Sequence, residues 1–185
     1  MSAFCRLHWQ SRLKSWQVDS GLADWLTVAG SLTARLQALG RFEVQRLAQR
    51  QGRSMDHRSA ANPRSVWQRA VVLKVDGHAL VFAHSEWSTA SKGPLAYQLR
   101  RLGNRPLGSL LFARRGFQHG ALAFCRLNAS HPLAREAARQ LGLAAGSALW
   151  ARRAEHCLGD ERLVVIEVFS LTLGKRALPS LNHFG

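Results

Sequence analysis

Arg69 and Glu167 are the residues of this 185-residue chain whose surroundings most demand a chemical explanation. Each interrupts an apolar run, Arg69 within 66–75 and Glu167 within 163–171. Strand side chains alternate between two faces, so Arg69 shares a face with Trp67, Val71, Leu73 and Val75. Glu167 shares one with Leu163, Val165, Phe169 and Leu171. A buried ion without a partner costs several kcal/mol. Two arrangements remove that cost: the two charges neutralise each other as a structural ion pair, or they line a pocket for a polar ligand.

The elements that must position these residues show in cap and turn signals. Asp19 and Ser20 cap a helix reaching about Val28; Ser31 caps a second over 32–39, and Gly40 stops it. A strand follows over 41–49. Residues 50–64 have no apolar period and read as a long loop, a feature that in compact domains is mobile or functional. Residues 66–75 and 78–86 form a hairpin about Asp76-Gly77. A helix over 94–102 ends at Gly103, and Pro106 opens a short one through Phe112. A strand over 117–127 is followed by a helix over 131–141 with Ser130 as its cap. Strands over 148–158 and 162–173 flank a turn at 159–161. Hairpins joined by helices indicate the α+β class, an antiparallel sheet with helices packed against it.

Length and a hydrophobic content of 46% suit one domain over residues 1–185 with a core of its own. No stretch has the character of a secretory signal or a membrane span, so a soluble, cytoplasmic protein is expected. Cys5, Cys125 and Cys157 lie far apart without a C-x-x-C pair, which argues against a disulfide framework or a zinc site and assigns them to packing. The eight histidines show no compact ligand spacing, and no metal is expected. A formal charge of +15 is the usual footprint of a nucleic-acid binder. The arginines, however, are scattered from Arg6 to Arg176, acids interleave in the densest stretch, and no helix-turn-helix or RNA-recognition pattern stands out. The six tryptophans fall mostly within apolar periodicity, as core residues do. The charge reads as a solvated basic surface with no specific nucleic-acid partner.

Trp67-x-Arg69, the stretch 102–112 with Gly103, Pro106, Leu107 and Gly108, the run Leu149-Trp150-Ala151-Arg152-Arg153, and Glu167-x-Phe169 together resemble the chorismate pyruvate-lyase family. Asp24-Trp25-Leu26 and Ser31-Leu32-Thr33 extend the similarity upstream, so that it covers about 16–175. Order and spacing carry the specificity, not any single motif. The resemblance implies a mainly antiparallel six-stranded sheet with its ligand in an enclosed cavity. It also implies a carbon–oxygen lyase that removes pyruvate from chorismate to leave 4-hydroxybenzoate for ubiquinone biosynthesis, as a monomer, with no cofactor or metal. The basic surface would favour encounter with so anionic a substrate.

By the same resemblance, Arg69, the backbone amides of Leu32 and Leu107, and Glu167 bind the aromatic product, with Arg69 and Glu167 as the catalytic pair. Leu32 follows the cap Ser31 and Leu107 follows Pro106, so both amides fall among the N–H groups a helix start leaves unpaired. Arg69 is assigned to the ring carboxylate through two parallel hydrogen bonds, and Glu167 accepts one from the ring hydroxyl. A concerted rearrangement driven by aromatisation and a stepwise elimination both suit these residues. His84 stands where the family commonly has an arginine, which bears on recognition of a second carboxylate. Two other functions stay open: a non-catalytic sensor of aromatic acids on the same fold class, and a basic nucleic-acid-binding module.

Overall fold

The computed structural model describes residues 7–56, 65–113, 115–177 and 179. In chain order the elements are α1 (Ser20–Thr27), α2 (Leu32–Gln37), β1 (Phe42–Gly52), β2 (Val66–Val75), β3 (His78–Ser88), α3 (Pro94–Arg100) and α4 (Leu107–Ala113). They continue with β4 (Gln118–His119), β5 (Ala123–Leu127), α5 (Pro132–Gln140), β6 (Leu149–Leu158) and β7 (Glu161–Phe169), then a 3-10 turn over Leu171–Lys175. The strands build one antiparallel sheet in the order β1-β2-β3-β7-β6-β4, with β5 also paired to β6.

Local chemistry accounts for the frame. Asp19 caps α1, its carboxylate accepting from the amides of Gly21 and Leu22. The β2–β3 hairpin turns on Asp76 and Gly77, with φ of 51° and 79°, the two left-handed residues a tight hairpin turn needs. Asp76 also holds the start of β1, accepting from the Arg41 amide at 2.9 Å.

The sheet is covered on both faces. On one, α5 packs Leu133, Ala134, Ala137 and Ala138 over Phe82, Ile166 and Val168. On the other, α1 and α2 bring Leu22, Trp25, Leu26 and Leu36 against Val71, Val81, Trp150 and Phe169. Further along that second face, α3 and α4 cover Trp87, Leu163 and Val165 with Leu95, Leu99 and Leu111. Two helical pairs thus share one face, and the interval between them is where a cavity opens.

Several expectations shift. There are seven strands rather than six, because the strand read over 117–127 is two. His119 pairs with His156 but Ala123 with Arg153, so one extra residue enters between β4 and β5 and breaks the ladder. β1 continues to Gly52, and β7 ends at Phe169, where Ser170 caps the 3-10 turn and leaves Leu171 exposed instead of on the face of Glu167. His131, not Ser130, caps α5: its Nδ1 accepts from the Leu133 amide. Residues 57–64 of the loop lie outside the described residues. Its earlier part is tied to the α5-covered face, where Glu86 accepts from Ser54 Oγ at 2.5 Å and from the Met55 amide at 2.6 Å, and Asp56 pairs with Arg153 at 2.7 Å. Trp25, Trp87 and Trp150 are buried as expected, whereas Trp16 is 77% exposed. Cys125 is buried and Cys157 half-buried; Cys5 lies outside the described residues.

Candidate active site

A cavity of about 250 Å³ lies between the sheet and its helices, and Leu32, Arg69, Leu107 and Glu167 all line it. Strand register brings the two charges together. Arg69 pairs with Ser85, Ser85 with Val165 and Val165 with Ala154; one row along, Val71, Ala83, Glu167 and Arg152 are in register. Arg69 and Glu167 therefore project from the same face, two strands and one row apart, or about 12 Å between Cα atoms by ladder spacing. Val28, Val44, Leu73, Leu111 and Leu122 add apolar walls to the same cavity.

They do not neutralise each other: among the described residues no ion pair joins them. Arg69 is 2% exposed and donates from Nη2 to the carbonyls of Gly103, at 3.1 Å, and Arg105, at 3.0 Å, so it holds the turn between α3 and α4. Its Nε is buried without a partner. Burial, and secondarily the charge of Arg46, pushes the guanidinium down to about 10. A cation that is buried, without a carboxylate and on a cavity wall is one that an anionic ligand would complete.

Glu167 has a different partner, Arg152, which sequence reasoning did not single out. Arg152 Nε donates to Glu167 Oε2 at 2.5 Å, and Nη1 reaches the carbonyls of Trp25, Leu26 and Val28, the last at 3.0 Å. One guanidinium thus fixes the carboxylate and satisfies carbonyls at the end of α1, the helix above the cavity. A signal was present: Arg152 lies in a strand among Trp150 and other apolar residues, the same anomaly that marked Arg69 and Glu167. The pairing depends on register across β6 and β7, which no local pattern specifies.

The starts of α2 and α4 meet at the cavity. A side chain on Gly108 would lie 2.9 Å from Thr33 Oγ1 and 3.0 Å from Ser31 Oγ, so glycine there permits the approach. The Leu32 and Leu107 amides stand at these two starts. Opposite, on β4 and β6, His119 and His156 complete the wall, their Nδ1 atoms 3.0 Å apart. Burial, then His119 and Arg152, pushes His156 down to about 4, so it is neutral at pH 7. His84 is absent from the cavity: it lies on the opposite sheet face, 2.8 Å from Glu86.

The chain matches the model of the chorismate lyase family over residues 4–175. It belongs to the chorismate lyase family. A relative named probable chorismate pyruvate-lyase from Dechloromonas aromatica is 43% identical over 169 residues, covering 89% of this chain and 94% of that protein. One of the same name from Halorhodospira halophila is 41% identical over 148 residues, 78% of each. Among solved structures, the effector domain of PhnF from Mycobacterium smegmatis aligns with a TM-score of 0.54 at 17% identity, over 83% of this chain and 95% of that one. At that identity the likeness is one of fold, and it places this chorismate lyase family member in the same α+β class as such effector domains. No helix among the described residues is long and apolar enough to cross a membrane.

Proposed function

We propose that the protein is a chorismate pyruvate-lyase whose reaction takes place in this cavity. The observation that carries the reading is Arg69, a buried cation with no carboxylate partner among the described residues, facing a carboxylate across an apolar chamber sized for one small ring. Arg69 and the amides of Leu32 and Leu107 receive the ring carboxylate. Glu167, fixed by Arg152, accepts from the ring hydroxyl at the far end. Action as a monomer belongs to the same reading.

The chemistry asks little more. The ether bond between ring and enolpyruvyl arm breaks, the hydrogen on the hydroxyl-bearing ring carbon is lost, the ring becomes aromatic, and pyruvate gains a hydrogen at its methyl carbon. Substrate and products have the same atoms, whether the hydrogen passes directly within the substrate or by way of an intervening base. The protein's task is to hold the reactive conformer, keep water out and stabilise charge on the departing oxygen. Incubation with chorismate, with pyruvate and 4-hydroxybenzoate followed together, tests the reading. Equal amounts, unchanged by EDTA, are expected. Pyruvate alone would indicate another chorismate chemistry. No product, with 4-hydroxybenzoate binding retained, would replace the enzyme by a sensor of aromatic acids.

A further inference from the structure

A chorismate-like ligand carries two carboxylates, and the residues discussed so far account for one. The second sits on the enolpyruvyl arm, attached beside the hydroxyl-bearing carbon, and so at the Glu167 end of the ring. Ser85 shares the cross-sheet row of Arg69, at the other end. Thr33 lies against Gly108, where the two helix starts meet. Arg152 is already bound to Glu167 and to α1, and His84 faces away from the cavity. Among the described residues, the remaining polar side chains of the wall are the imidazole pair on β4 and β6.

We propose that His119 and His156, further along β6 from Arg152 on the same cavity wall, form the receptor for this second carboxylate and so set the preference of the site for a dianion over a monocarboxylate. This rests on the lyase reading of the same cavity. His156 is 7% exposed and lines the cavity, and among the described residues its hydrogen bond joins its Nδ1 to His119 Nδ1, so Nε2 is the nitrogen left for a ligand. Two Nδ1 atoms at 3.0 Å require that one donate and the other accept. When His119 donates, His156 must carry its proton on Nε2, and the pair presents an N–H donor to the ligand. His119 thereby selects the tautomer that binds an anion. Its ring is held by stacking on Phe112, with centroids 4.8 Å apart, and stands edge-on to His156 at 5.1 Å. The pair is built by register, since His119 and His156 are direct cross-strand partners, and the extra residue after β4 keeps that pairing separate from the β5 ladder.

Two ligands separate this role from general support of the cavity. One is 4-hydroxybenzoate. The other is 3-(1-carboxyethenyloxy)-4-hydroxybenzoate, which carries the arm but is already aromatic and cannot eliminate. Calorimetric titration of wild type, His156→Phe, His119→Ala and His156→Gln with both is the experiment. We expect the dicarboxylate to bind at least tenfold more weakly to His156→Phe and His119→Ala, while 4-hydroxybenzoate stays within twofold of wild type. His156→Gln, whose amide N–H can reach the same place, should recover part of the loss. Equal weakening of both ligands would make the pair structural, and an unchanged dicarboxylate affinity in His156→Phe would overturn the proposal. The ratio of the two affinities is independent of turnover, so failure of wild type to release pyruvate would defeat the lyase reading and leave this test in force.

Discussion

Replacing Arg69 with methionine should cost the empty protein little and the ligand complex much. Holding the guanidinium at about 10 by burial, and then by Arg46, costs the charged form roughly 3 kcal/mol in the unliganded fold. Methionine removes that cost at similar length but leaves the carbonyls of Gly103 and Arg105 without a donor, about 1–3 kcal/mol each. The two effects largely offset one another: about 3 kcal/mol relieved against about 2–6 kcal/mol lost puts the unliganded variant between about 1 kcal/mol above and about 3 kcal/mol below wild type. Half of a buried ion pair would instead lose about 3–5 kcal/mol. With 4-hydroxybenzoate at 100 times its Kd, wild type gains about 2.7 kcal/mol. For a chain of this size that raises Tm by roughly 5–10 °C. Loss of the guanidinium–carboxylate contact, about 3 kcal/mol, weakens binding by roughly 150-fold. At the same ligand concentration the variant then gains only about 0.3 kcal/mol, a shift below about 2 °C. Thermal unfolding of both proteins, with and without ligand, reads all four quantities. An equal ligand-induced rise in the two would refute the placement of the carboxylate on Arg69, and a loss clearly above about 3 kcal/mol without ligand would show that Arg69 is mainly structural.

Arg152→Met should destabilise by about 3–5 kcal/mol, because it strands Glu167 and the carbonyls at the end of α1; Arg152→Met combined with Glu167→Leu should lose clearly less than the sum of the two single variants in urea unfolding. Glu86 contributes acid sensitivity on the α5-covered face. Burial alone would raise its carboxyl, but hydrogen bonds from His84, Ser54 and the Met55 amide hold it below the ordinary glutamate range. A depressed folded value stabilises above the unfolded one and is lost as pH falls through the folded one, so urea midpoints should drop on acidification through and below that range, and Glu86→Gln should flatten the drop. Binding to random duplex DNA should be weak and vanish at moderate salt, since scattered arginines neutralise few phosphates at once; retention near physiological ionic strength in a mobility-shift assay would contradict the reading of the basic surface.

Most of the frame was legible in the chain because it rests on short-range chemistry. Asp19 and Ser31 cap their helices and Asp76-Gly77 makes its hairpin turn, while the helix expected over 94–102 stops at Arg100 and Gly103, with a φ of 60°, sits in the turn that follows. The anomaly of a charge within an apolar strand was equally local, and it marked Arg69 and Glu167. The misses have a common origin in pairing. The strand over 117–127 looked continuous because its break is an offset against β6, visible only with both strands in place. Ser130 was a better cap by residue type than His131, but the ring of His131 is buried and meets the Leu133 amide.

Local patterning required partners for two charges, since periodicity puts each on an apolar face. It did not determine which partners. Alternation within one strand says which face a side chain takes, whereas the neighbour on that face depends on strand order and register, both properties of long-range closure. Long-range closure joined Glu167 to Arg152, left Arg69 on the cavity wall with no ion-pair partner among the described residues, set His84 on the far side of the sheet, and brought His119 and His156 within hydrogen-bonding distance.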